Sequence, residues 1–162
     1  MVGDDNEAVF TAPSGLADIE CYYENFNAIC EVTMLTSRDQ WYNEGQPVMR
    51  HLRNFENNCK NKICYCLFIA PSLHVDTINT FWSSVKHEYE GIRQRIVPIT
   101  INDLIYLIDK VKIVQEKNKK FTHLMLEEFY REATEVSDVT NSIAWIAKIK
   151  KILSTWLERL IT

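Results

Sequence analysis

Two short apolar runs that meet at Glu24-Asn25 constrain this chain more than any other feature. The first reads Pro13-Ser-Gly-Leu-Ala-Asp18-Ile-Glu20-Cys-Tyr-Tyr, and the second reads Phe26-Asn-Ala-Ile-Cys-Glu31-Val-Thr33-Met. Aromatic and β-branched residues favour strands, so a hairpin is expected over 17–23 and 26–35. A tight loop at Glu24-Asn25 pairs Tyr23 with Phe26, and Asp18 then lies opposite Glu31. Side chains alternate along a strand, so Glu31 and Thr33 share one face. Two carboxylates at one end of a hairpin, beside Ile19, Ile29, Cys30 and Val32, repel each other and resist burial. A hard divalent cation bound through oxygen resolves the conflict. The arrangement reads as a Mg²⁺ site for phosphodiester chemistry. The alternative is a pair of solvated carboxylates on the outer face of the hairpin. Glu20 and Glu24 read as plain surface residues.

At 162 residues the chain can bury a sizeable core. Hydrophobic residues make up 46% of it, which excludes a disordered tail. The expected organisation is a polar lead-in over 1–16 and one domain over 17–162, with a core at 17–115 and C-terminal helices at 120–161. No apolar run approaches the ~20 residues of a membrane helix, and the start carries no basic secretory n-region. The cysteine count is 5. Cys30, Cys64 and Cys66 lie in apolar runs, as suits reduced thiols and a cytoplasmic location. Cys59, Cys64 and Cys66 lack the spacing of a zinc site. The formal net charge is -4. Phosphate neutralisation supplies most of the affinity of a stand-alone DNA binder, so a DNA-cutting chain with this charge needs another element to hold the DNA.

Further along, 36–45 is polar. Pro47 fits the first turn of a helix that places Val48, Leu52 and Phe55 on one side and Arg50, Arg53 and Glu56 on another. Residues 62–70 are apolar at nearly every position, which predicts a central strand covered on both faces. Asp76 can cap a helix carrying Ile78, Phe81, Trp82 and Val85, and Gly91 breaks the pattern that follows. Residues 95–100 form a short strand whose Pro98 suggests an edge or an end. Asn102 or Asp103 caps the next helix, and two more cover about 121–135 and 139–160. The order β-β-α-β-α-β followed by three helices predicts an α/β fold, a mixed central sheet flanked by helices.

Read together, these residues resemble a known family. Pro13 to Asp18 followed by Glu31-Val-Thr33 looks like the signature of the PD-(D/E)xK restriction-type nucleases, with the Pro displaced and the Lys replaced. Gln40, Glu44-Gly45, Val48 and Arg50-His51-Leu52, at their spacing, are similar to the AlwI-type branch of type IIS restriction endonucleases, in particular the small cleavage subunit of heterodimeric members. The resemblance covers 13–112. It implies that Asp18 and Glu31 bind Mg²⁺ with the Val32 carbonyl as a further ligand, that Thr33 positions the attacking water, and that Gln40, Glu44 and His51 orient the substrate or the metal's ligands. It implies cleavage of double-stranded DNA, with recognition supplied by a larger subunit or an N-terminal recognition domain, and no membrane partner.

Two departures stand out. Thr33 occupies the position of the usual Lys; a hydroxyl can hold a water but brings no positive charge. His51 or Arg50 could supply that charge, or could be ordinary helix-surface residues. The hairpin also begins so early that a preceding helix or recognition domain is not expected within the chain. Two other readings remain: a non-catalytic dimerisation or scaffold module of the same fold, and a structure-selective repair nuclease. Among the aromatic residues, Trp82, Trp145 and Trp156 read as core or interface, whereas Trp41 and Tyr42 could touch DNA. Ile143, Ile146, Ile149, Leu153, Trp156 and Leu160 form an apolar stripe that must be buried, with Lys148, Lys150, Lys151 and Arg159 off it, facing solvent or DNA.

Overall fold

The computed structural model describes residues 16–59, 61–117 and 119–161, without the side chains of 157, 160 and 161. Pro13 and most of the expected lead-in lie outside the described residues.

The hairpin forms in the expected register. Strands β1 (Ile19–Tyr22) and β2 (Phe26–Val32) pair antiparallel, with Ile19 against Cys30 and Tyr22 against Asn27. Tyr23 N donates to Phe26 O at 3.1 Å and closes the turn. Both strands are shorter than expected: pairing with β1 ends at Ile19–Cys30, while β2 continues against β3 to Val32–Ile69, and Thr33 N donates to Ile69 O at 3.0 Å.

Strand β3 (Ile63–Ala70) lies parallel to β2, and β4 (Ile96–Thr100) parallel to β3, giving the order β1-β2-β3-β4. From Cys64 onward every residue of β3 is buried, as a strand covered on both faces requires. Pro98 sits in β4, the edge strand opposite the hairpin, where its missing N–H costs no ladder bond.

Alternation divides the sheet into two faces. Phe26 and Tyr65 point to one face, where both meet Tyr130. Phe68 points to the other and packs edge-on against Phe81. Glu31, directly beside Phe68 in the β2–β3 register, therefore shares the Phe68 face, and so does Thr33.

The polar stretch 36–45 is helical from Ser37 onward. A four-residue helix α1 (Ser37–Gln40) runs into a single π turn, Trp41–Gly45, and then into α2 (Gln46–Asn58). Tertiary bonds described below override its weak propensity. Val48, Leu52 and Phe55 are buried on α2 as expected, but so is Arg53. Its guanidinium binds Glu56 Oε2 at 2.6 Å and the carbonyls of Tyr89 and Ile92. It thereby holds a turn in which Glu90 and Gly91 both adopt positive φ, 51° and 83°, a conformation that Gly91 takes without steric cost.

Helix caps differ from expectation by two or three residues. α3 (Val75–Lys86) is capped by His74, whose Nδ1 accepts from Asp76 N at 3.3 Å. α4 (Ile101–Glu116) is capped by Thr100 in a capping box with Asp103. The last helices are α5 (His123–Thr134) and α6 (Ser142–Ile161). Trp145, Ile149, Ile152, Leu153 and Trp156 of α6 are buried in the core, while Ile143 is 69% exposed. The buried stripe therefore starts at Trp145, and Ile143 lies off it. Lys148 binds Glu135 O and Asp138 Oδ1, both at 2.7 Å, and Arg159 reaches Glu132 Oε1 at 3.1 Å; both cations serve packing within the C-terminal helices.

Candidate active site

The C-terminal ends of β2 and β3 and the start of α2 meet at one edge of the sheet. Asp18 lies one step beyond the Ile19–Cys30 pair, in line with Glu31. Its Oδ2 accepts from Val32 N at 2.7 Å, which fixes the carboxylate at the hairpin end. The N–H and C=O of one strand residue point to the same edge, so the Val32 carbonyl lies on the edge that Asp18 occupies.

Glu31 is only 4% exposed. Its Oε1 lies 2.8 Å from His51 Nδ1 of α2, the bond expected of a ring N–H facing a carboxylate. Burial pushes the Glu31 carboxyl above its ordinary range, the His51 bond and charge pull it back, and Asp18 pushes it up again. Desolvation wins. The bond to Glu31 raises His51, against burial and the nearby Arg50 charge. Arg50 itself is exposed on α2.

Glu44, half-buried on the π turn, joins the same cluster. Burial raises its carboxyl; the nearby Thr33 hydroxyl lowers it; Glu31 and Asp18 raise it further. Thr33 is buried, and its Oγ1 also accepts from Leu35 N at 3.1 Å. The structure thus gathers Asp18, Glu31, Thr33, Glu44 and His51 on one face of the sheet edge.

Gln40 does not join them. It is fully buried. Its Nε2 donates to Leu35 O at 2.9 Å and Ser72 O at 2.7 Å, and its Oε1 accepts from His74 N at 2.9 Å. Every polar atom of the amide binds backbone, so the expectation that Gln40 orients substrate or a metal's ligands is corrected: it ties the segment after β2 to the segment after β3. Trp41 is likewise engaged, its Nε1 donating to Thr80 Oγ1 at 3.0 Å. Tyr42 beside it is 64% exposed. Nothing in the local sequence pattern singles out Thr80, because its partner lies 39 residues away.

Among the described residues no group of three or more His, Cys, Asp or Glu side chains is placed to hold a metal ion. Asp18 and Glu31 are a smaller donor set, a pair of carboxylates. Mg²⁺ is commonly held by one or two carboxylates and keeps several waters. Asp18 and Glu31 supply two hard oxygen donors whose mutual repulsion already raises Glu31.

A short mixed sheet, flanked by helices, that brings an acidic hairpin end against a helix is a restriction-endonuclease-type fold. The structure is similar to the small subunit (R.BspD6I2) of the heterodimeric restriction endonuclease R.BspD6I, with a TM-score of 0.70 over 89% of this chain and 70% of that one, at 21% identity. The chain belongs to the AlwI restriction endonuclease family, whose model matches residues 1–107. No curated protein matches it in sequence. Among the described residues no helix is long and apolar enough to cross a membrane.

Proposed function

We propose that this chain cuts one strand of double-stranded DNA as the Mg²⁺-dependent cleavage subunit, or cleavage domain, of a type IIS restriction endonuclease, with the recognition sequence read by a larger subunit or a separate domain. One observation carries the reading: Asp18 is fixed at the hairpin end opposite a buried Glu31, where two like charges are costly without a cation between them.

Asp18, Glu31 and the Val32 carbonyl would hold the ion. Bound there, Mg²⁺ supplies Lewis acidity toward the phosphate and lowers the pKa of a water. Thr33 holds the attacking water by its hydroxyl, where the wider superfamily uses Lys. Glu44, close to the Thr33 hydroxyl, sets the direction of that hydroxyl and accepts a proton. His51 fixes the Glu31 carboxylate and supplies the positive charge that Thr33 lacks, and Arg50 and Tyr42 stand exposed beside the site for the DNA backbone. The neighbour's heterodimeric assembly supports a partner subunit here as well.

The test combines the purified chain with a candidate larger endonuclease subunit, sought among the reading frames beside its gene, on plasmids with and without the recognised sequence, in Mg²⁺ and in chelator. Nicking confined to Mg²⁺ and to the recognised plasmid supports the reading. No nicking points to a scaffold module, the reading that the Lys-to-Thr33 departure favours. Nicking governed by DNA structure rather than sequence points to a repair nuclease.

A further inference from the structure

Glu44 reaches the cluster from a π turn, which is wider by about one residue than an α-helical turn. Relaxing that turn to α-helix would rotate Glu44 by about 100° relative to α2, away from Thr33. Something must hold the turn wound this way. On one side Gln40 anchors the preceding residue through three backbone bonds. On the other side α2 is fixed by its buried face. Between them the turn packs on α3, and Thr80 gives that packing a hydrogen bond. Thr80 Oγ1 accepts from Trp41 Nε1 at 3.0 Å and donates to Asp76 O at 2.8 Å. Gly45 closes the turn against the same pair: a Cβ there would meet Trp41 Cδ1 at 3.2 Å and Thr80 Cγ2 at 3.6 Å. A side chain at 45 would press on the Trp41 ring, which would have to shift by a few tenths of an ångström, while its contact with Thr80 would be ordinary.

We propose that Thr80 is a positioning residue for cleavage: by holding the Trp41 indole it keeps the π turn wound and so aims Glu44 at Thr33 and Glu31. The inference rests on the functional reading above. Thr80 touches neither DNA nor the reacting atoms. Its hydroxyl both accepts from the indole and is itself oriented by Asp76, so its direction is determined.

The experiment compares Thr80→Val, Thr80→Ser, Gly45→Ala and Glu44→Gln in the assembled enzyme, measuring kcat, KM for DNA and Tm. Thr80→Val is expected to lower kcat by about 10–100-fold, the effect of misplacing a reacting group by about 1 Å, and Gly45→Ala to lower it by less, since it displaces only the Trp41 ring and slightly. KM for DNA should hold within about twofold, because uniform binding is untouched. Tm should fall by no more than about 4 °C, as for loss of one hydrogen bond in a domain of this size. Thr80→Ser keeps the oxygen and should restore the rate. A wild-type rate in Thr80→Val with an inactive Glu44→Gln overturns the lock alone. So does a Thr80→Ser as defective as Thr80→Val. A wild-type rate in Glu44→Gln overturns the role given to Glu44, and the lock with it.

Discussion

His51 on α2 and Glu31 on β2 face each other at 2.8 Å, and both hold protons more tightly in the fold than their ordinary values allow. Burial raises Glu31 and Glu44 above 4.5. The bond to Glu31 raises His51 above 6.5. For each group the folded state binds more protons than the unfolded one, so stability falls with rising pH. The two carboxyls contribute fully only below 4.5, and that contribution is lost as pH climbs through their raised values. The His51 contribution is complete below 6.5 and fades above it. Thermal denaturation in chelator between about pH 5 and pH 8 should show Tm declining. Added Mg²⁺ should recover the most stability at the alkaline end. A metal-free Tm that rises across this range would contradict the site.

Gln40 tests the scaffold separately. Replacing it by Leu leaves the Leu35 and Ser72 carbonyls and the His74 amide without their partner at a part-buried place. Each such group costs about 1–3 kcal/mol, so the loss should exceed that of any single exposed substitution. Urea denaturation of Gln40→Leu checks this; stability within about 0.5 kcal/mol of wild type would mean that the segments after β2 and β3 do not need the amide.

The C-terminal helices are part of the core. Trp156 is fully buried and stacks on Phe129 at 5.2 Å between ring centroids. Trp156→Ala should cost about 3–5 kcal/mol, and removing 138–162 should unfold the chain. A truncated chain with native far-UV circular dichroism and a cooperative melt would show instead that α6 serves only a partner.

With a net charge of -4, the isolated chain should bind duplex DNA weakly and without sequence preference at physiological salt. Fluorescence anisotropy with specific and scrambled duplexes measures this. Tight, sequence-selective binding by the chain alone would place recognition within it.

The hairpin register was legible because one tight turn and a period of two determine it; Asp18 opposite Glu31 follows from Tyr23 against Phe26. Strand β3 was legible from its unbroken apolar run. The segment 36–45 was not, since its helicity depends on Gln40 and Trp41 reaching backbone and side chain more than thirty residues away. The buried Arg53 escaped for the same reason, as its partners lie in a distant turn. On α6 the three- and four-residue spacing marked an apolar stripe, but it could not say that Ile143 precedes the point where the helix meets the core. The family resemblance points to His51 as a site residue, but its contact with Glu31 depends on the packing of α2 on β2.

The central claim is that Asp18 and Glu31 together form the catalytic metal site. The direct measurement is single-strand nicking by the assembled enzyme carrying Asp18→Ala or Glu31→Ala, paired with the melting temperature of each variant in chelator and in Mg²⁺. Each variant should lose at least about 10²–10³-fold in rate, the effect of removing one transition-state electrostatic contact. Each should melt in chelator at or above the wild-type temperature, since a repelling carboxylate is gone, and should lose the stabilisation by Mg²⁺. A variant that nicks at near the wild-type rate, or that is still stabilised by Mg²⁺ to the wild-type extent, would contradict the account.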